Sequence, residues 1–103
     1  MSERDAQAAI LDYLAVRHCF ALRLNNQPIY DAKRQIFRSL PKHTPRGLSD
    51  ILAIKEGRAY FLEVKSEKGK PSQDQIDFGR DAIRAGASYH VVRSIDDVQT
   101  LGL

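Results

Sequence analysis

The 103 residues predict an α/β domain in which a mixed sheet is flanked by helices, in the order helix, three strands, helix, strand, helix. Three observations predict it. Apolar residues recur at helical spacing over residues 3–17. Two apolar runs, 51–54 and 59–65, flank a short polar turn. Ser72, followed three residues on by Gln75, opens a second helix that leads into another strand at 88–92.

Each element has a local cause. Ser2-x-x-Asp5 reads as a capping box, and Ala6, Ala9, Ile10, Tyr13 and Leu14 then supply one apolar stripe. Glu3 falls in the first turn, where the helix dipole favours an acid. Phe20, Leu22 and Leu24 alternate with Ala21 and Arg23, predicting a half-buried strand with Arg23 on the opposite face from the three large apolar residues. Residues 25–47 carry three prolines and many bases, and predict a long loop with at most a short strand at 35–38. Lys55-Glu56-Gly57-Arg58 is a hairpin turn between the second and third strands. Gly79, in the middle of the second helix, costs about 1 kcal/mol against alanine, so it predicts close packing on the sheet. Gly86 ends that helix, and Ser94-x-x-Asp97 caps a last short one ending near Gly102. Residues 1–103 read as one domain with one modest core.

The hairpin carries the chemistry. Asp50 precedes its first strand, and Glu63-Val64-Lys65 ends its second. The two-residue period puts Glu63 and Lys65 on one face, beside Asp50. Two carboxylates and an ammonium are the equipment for magnesium- or manganese-dependent attack on a phosphodiester. Asp50 and Glu63 would ligate the ion, the Val64 carbonyl would be a third ligand, and Lys65 would assist the attacking water. The plain alternative is a salt bridge on a solvated strand, with Asp50 as a turn acid.

The order of the surrounding residues goes further. Gly47-x-x-Asp50, Glu63-x-Lys65-Ser66 and Gly69-Lys70-x-Ser72-x-x-Gln75 together resemble the virus-type replication-repair nuclease domain (VRR-NUC) of the PD-(D/E)xK nuclease superfamily. Glu3 matches the family's early acid, and Arg23-Leu24-Asn25 its Arg-x-Asn strand. Tyr89-His90-Val91-Val92-Arg93-Ser94 with Ile95-Asp96-Asp97-Val98 is similar to its closing strand and helix. One departure stands out: Asn26-Gln27 follow Asn25, where the family often has a small residue and glycine. The resemblance implies a restriction-endonuclease-like αβββαβ core. It also implies that Glu3 and Gln75 support the site, and that the domain works as a homodimer cutting four-way (Holliday) junctions or flaps in replication and repair, with a possible replication or repair protein as partner.

Charge agrees with such a substrate. Residues 15–70 hold twelve Lys or Arg against five Asp or Glu, a balance of +7, and the two flanks at −2 each return the net +3. Within that basic field Arg23, Asn25, Lys33, Arg34, Arg38, Lys42, Arg46, Lys68 and Lys70 are candidate DNA contacts. Tyr30 or Phe37 could stack on a base, or Phe37 could fill the core. No recognition helix or finger is apparent, so selectivity should come from DNA shape and backbone. The three histidines, His18, His43 and His90, lack zinc-ligand spacing. The single cysteine, Cys19, reads as a small buried hydrophobe and, lacking a partner, suits a reducing cytoplasm, with a phage or prophage origin compatible. No run approaches a membrane span, and no signal-peptide pattern opens the chain. The competing functional readings are a catalytically silent nucleic-acid-binding module and an adaptor of a replication or repair complex.

Overall fold

A computed structural model describes residues 2–24, 30–37 and 43–103. Its elements are α1 (Glu3–Val16), β1 (Phe20–Arg23), β2 (Tyr30–Asp31), β3 (Ile36–Phe37), β4 (Ile51–Lys55), β5 (Arg58–Val64), α2 (Gln73–Arg84), β6 (Ser88–Val92) and α3 (Ile95–Thr100). Four strands form one sheet in the order β1-β4-β5-β6, antiparallel except for the parallel β5–β6 pair. This is the mixed, helix-flanked sheet the sequence predicts. The loop region adds a small separate ladder, β2 with β3, in which Tyr30 pairs with Phe37 and Asp31 with Ile36. The side-chain roles expected of Tyr30 and Phe37, and the DNA contacts expected of Asn25, Arg38 and Lys42, fall outside the described residues.

Helix starts follow the capping residues. The Ser2 hydroxyl accepts from the Asp5 amide at 3.1 Å. At α2 both arms of the box close: Ser72 Oγ accepts from the Gln75 amide (3.2 Å), and Gln75 Oε1 accepts from the Ser72 amide (2.8 Å). Such a box holds the first turn without tertiary help. Helix α1 stops at His18, whose φ of 58° no longer continues it.

The core lies between one face of the sheet and helices α1 and α3. Ile10 and Leu14 of α1 and Val98 of α3 meet Ile51, Ala53, Leu62, Val64 and Val92 from the strands, with Leu103 closing the cluster. All of these are at most 2% exposed, so burial here supplies most of the drive to fold. Helix α2 covers part of the other face. Phe61 and Tyr89 both meet the Phe78 ring in edge-on geometry, with centroids at 5.1 and 6.1 Å.

Strand β1 departs from expectation. Ala21, not Phe20 or Leu22, packs on the core, while Phe20 is 66% and Leu22 39% exposed. The register explains it: Ala21 pairs with buried Ala53, and Phe20 and Leu22 pair with Ile54 and Leu52 on the α2 face. Close approach of α1 to β1 favours the small residue inward. Cys19 is half-buried rather than buried, with its Sγ 3.7 Å from the Ile54 carbonyl.

Candidate active site

The site forms where the β4–β5 ladder ends. Regular pairing runs from Lys55–Arg58 to Ile51–Leu62. Beyond it the Asp50 amide bonds the Leu62 carbonyl at 3.2 Å, and the Asp50 carbonyl accepts from Leu24 at 2.8 Å. The Val64 amide, which the next rung would have given to a carbonyl, instead donates to Asp50 Oδ2 at 2.8 Å. One oxygen of Asp50 is therefore tied to the backbone of the neighbouring strand, and the carboxylate is fixed in direction. Upstream, buried Ser49 bonds the Ile51 carbonyl through Oγ (3.3 Å). Gly47 turns the chain at φ 71° against the first turn of α2, where a Cβ would lie 2.2 Å from the Asp74 carbonyl oxygen. Only glycine fits that conformation and that space, which gives Gly47-x-x-Asp50 a physical cause.

Glu63 lies one residue before Val64 and is 2% exposed. Its Oε1 is buried and has no hydrogen-bond partner among the described residues. Burial, a hydrogen bond to Asp50 and the charge of Asp50 push its pKa from 4.5 up to about 8, against the opposing pull of Lys65. Lys65 Nζ stands 4.0 Å from Glu63 Oε2 with its side chain 14% exposed. The structure thus brings Asp50, Glu63 and Lys65 together. Burial and the neighbouring Asp50 favour the protonated form of Glu63 in the folded protein.

Glu3 is exposed in the first turn of α1, near enough for its charge to raise Glu63 further, though as the smallest cause. Among the described residues no group of three or more His, Cys, Asp or Glu side chains is placed to hold a metal ion. Gln75 has its side-chain oxygen engaged in the α2 cap. Its first turn touches the Gly47 loop, so the helix braces the approach to Asp50.

The expected DNA contacts are spread more widely. Lys68 and Lys70 are exposed in the loop that follows Lys65. Arg93 holds that loop: its Nη1 donates to the carbonyls of Ser66 (2.6 Å) and Gly69 (2.7 Å). Arg46 is exposed and shares a cavity with Asp74, Asp77 and Asp81 of α2, an acidic neighbourhood. Lys33 and Arg34 are exposed in the β2–β3 turn. Arg23 pairs with Ile51, which puts it on the core-facing side of the sheet at its edge strand.

Two residues near the site escape sequence reasoning. Arg93 carries no local signal, because its partners are carbonyls 24 and 27 residues away. Tyr89 stands opposite Phe61 in the parallel pair, on the face that carries Glu63. Its hydroxyl is buried without a hydrogen-bond partner among the described residues. Burial and the charges of Glu63 and Asp50 push its pKa up to about 12. Gly79 was the available hint, since a Cβ there would sit 2.5 Å from Tyr89 Cδ1.

No protein-family model and no curated protein matches this sequence. A solved structure described as a VRR_NUC domain does match, with a TM-score of 0.67 and 23% identity, over 98% of this chain and 95% of that one. The chain has the fold of that domain. Among the described residues no helix is long and apolar enough to cross a membrane.

Proposed function

We propose that this chain is a metal-dependent endonuclease that hydrolyses phosphodiester bonds in branched DNA, a four-way junction or a flap. The observation that carries the reading is the convergence of Asp50, Glu63 and Lys65 at the end of one hairpin. The likeness in fold to a VRR_NUC domain supports it.

The donor set fits Mg2+ or Mn2+. Glu63 Oε1 is a buried oxygen with no hydrogen-bond partner among the described residues, the kind of group that costs free energy until something binds it. Two carboxylates are what magnesium takes from a protein when phosphate and water supply the rest. Asp50 and Glu63 would hold the ion, with the Val64 carbonyl as the third protein ligand. Bound there, the ion supplies Lewis acidity toward a phosphoryl oxygen and a more acidic water. The side chains do the remainder. Asp50, tied through Oδ2 to Val64, presents its other oxygen in a fixed direction. Lys65 donates to the attacking water or to charge growing on the phosphoryl oxygens. Lys68 and Lys70, on the loop held by Arg93, would take the DNA backbone. Glu3 and Gln75 support the site from the starts of α1 and α2. A homodimer would supply two such sites for paired cuts.

The test incubates the protein with a labelled four-way junction, a flap and a matched duplex, each in Mg2+, Mn2+ or EDTA, beside Lys65→Ala. Metal-dependent cutting of a branched substrate, lost in the variant with DNA binding retained, is the expected result. A Lys65→Ala protein that cuts at the wild-type rate would remove Lys65 from the mechanism. Binding without cutting in any metal would favour the silent module.

A further inference from the structure

The sheet face that carries Glu63 also carries a tyrosine placed with unusual care. Tyr89 sits on β6 opposite Phe61, two residues along that face from Glu63. Phe78 meets its ring edge-on at 6.1 Å. On the other side α2 presents Gly79, where any Cβ would lie 2.5, 2.7 and 2.9 Å from three ring carbons. A helix that accepts a mid-helix glycine at about 1 kcal/mol in order to seat a ring has that ring held on a single line. The hydroxyl at its end is buried and without a hydrogen-bond partner among the described residues, and so is Glu63 Oε1. Of all buried side-chain nitrogens and oxygens among those residues, these two alone are unpaired. They also share one electrostatic environment, since the charges of Glu63 and Asp50 both act on the Tyr89 hydroxyl.

If core packing were all that Tyr89 supplied, phenylalanine would do it better: a buried hydroxyl without a partner is a standing cost. A hydroxyl on the same sheet face as a carboxylate oxygen that is equally unpaired among the described residues, and within reach of its charge, offers a donor to that acceptor through a bridging water. We propose that Tyr89 is a positioning residue of the site: it donates to a water held against Glu63 Oε1 and so sets the orientation in which Glu63 meets a divalent cation. The proposal rests on the nuclease reading above and extends it to a residue on the far strand. Partners of this kind orient the ligand rather than touch the metal, and their loss commonly costs ten- to a hundredfold in metal affinity or activity.

The test is Tyr89→Phe, which keeps the ring and its contacts with Phe78 and Gly79. Mn2+ affinity is measured by calorimetry on the intact chain without DNA, and kcat and KM are measured on the best-cut branched DNA. Near-ultraviolet circular dichroism and a thermal melt verify that the variant is folded, and Phe78→Leu serves as a packing control that keeps the hydroxyl. The expected result is a roughly tenfold loss of Mn2+ affinity and a similar fall in kcat at saturating DNA. KM for DNA should stay unchanged, and Phe78→Leu should show neither effect. Wild-type Mn2+ affinity and kcat in Tyr89→Phe, with the wild type itself binding and cutting, would overturn the assignment of Tyr89 and leave the nuclease intact. A wild type that neither binds Mn2+ nor cuts DNA would overturn both. Equal losses in Tyr89→Phe and Phe78→Leu would reduce Tyr89 to a packing residue.

Discussion

Replacing Glu63 by glutamine should stabilise the metal-free protein at alkaline pH. Glu63 is 2% exposed, and its proton affinity rises from 4.5 to about 8, first through burial and then through Asp50. The folded state therefore holds a proton that the unfolded state has released anywhere between those values. Stability must fall as pH climbs from 4.5 to about 8 and level off above it, because the unfolded chain binds fewer protons throughout that window. A little over three decades of affinity, at about 1.4 kcal/mol each, sets an upper bound of about 5 kcal/mol. That is comparable with the whole stability of a domain this size, about 5–15 kcal/mol. Relaxation and water entry reduce it, and about 2–3 kcal/mol is the working expectation. Glutamine fills the same space and never ionises. Urea melts in EDTA at pH 5 and pH 9 measure the effect. The wild type should lose about 2–3 kcal/mol between the two, and Glu63→Gln should lose little. Parallel pH dependence in the two proteins would refute the claim that Glu63 is a buried acid. The same linkage makes cation binding to the wild type release a proton and tighten as pH rises towards about 8.

Other perturbations follow from the same geometry. Gly79→Ala, which in most exposed helices gains about 1 kcal/mol, should instead destabilise by about 1–3 kcal/mol through overpacking against the Tyr89 ring; a urea melt showing a gain would contradict the close approach. Arg93→Ala removes two charge-assisted bonds to Ser66 and Gly69, so amide exchange over residues 66–70 should quicken and affinity for duplex DNA should fall several-fold at low salt. Unchanged exchange there would mean that the loop holds itself.

Local features were legible in the sequence, and tertiary ones were not. The Ser72–Gln75 box and the β4–β5 hairpin depend on residues three to a dozen apart, and both stand where the sequence puts them. Asp50, Glu63 and Lys65 converge because they belong to that hairpin. Alternation in β1 defines two faces without saying which meets the core. The inward place went to Ala21, the residue small enough to sit beneath α1, and large Phe20 and Leu22 turned outward. Tyr89 reaches the site through a parallel pairing whose register depends on the crossover through α2, and no short-range pattern encodes that. In sequence Gln75 suits both a cap and a site residue, and the geometry accounts for the first role directly.

The bond from the Val64 amide to Asp50 Oδ2 makes position 50 an architectural acceptor as well as a chemical one. The two demands come apart under substitution. Asparagine can still accept from Val64 while withdrawing the negative charge, so it silences the chemistry and spares the hairpin. Alanine leaves a strand-end amide without its acceptor, and its effects mix lost catalysis with a frayed sheet. A descendant of this chain without the proposed activity would thus still need an oxygen at position 50 long after it had ceased to need an acid there.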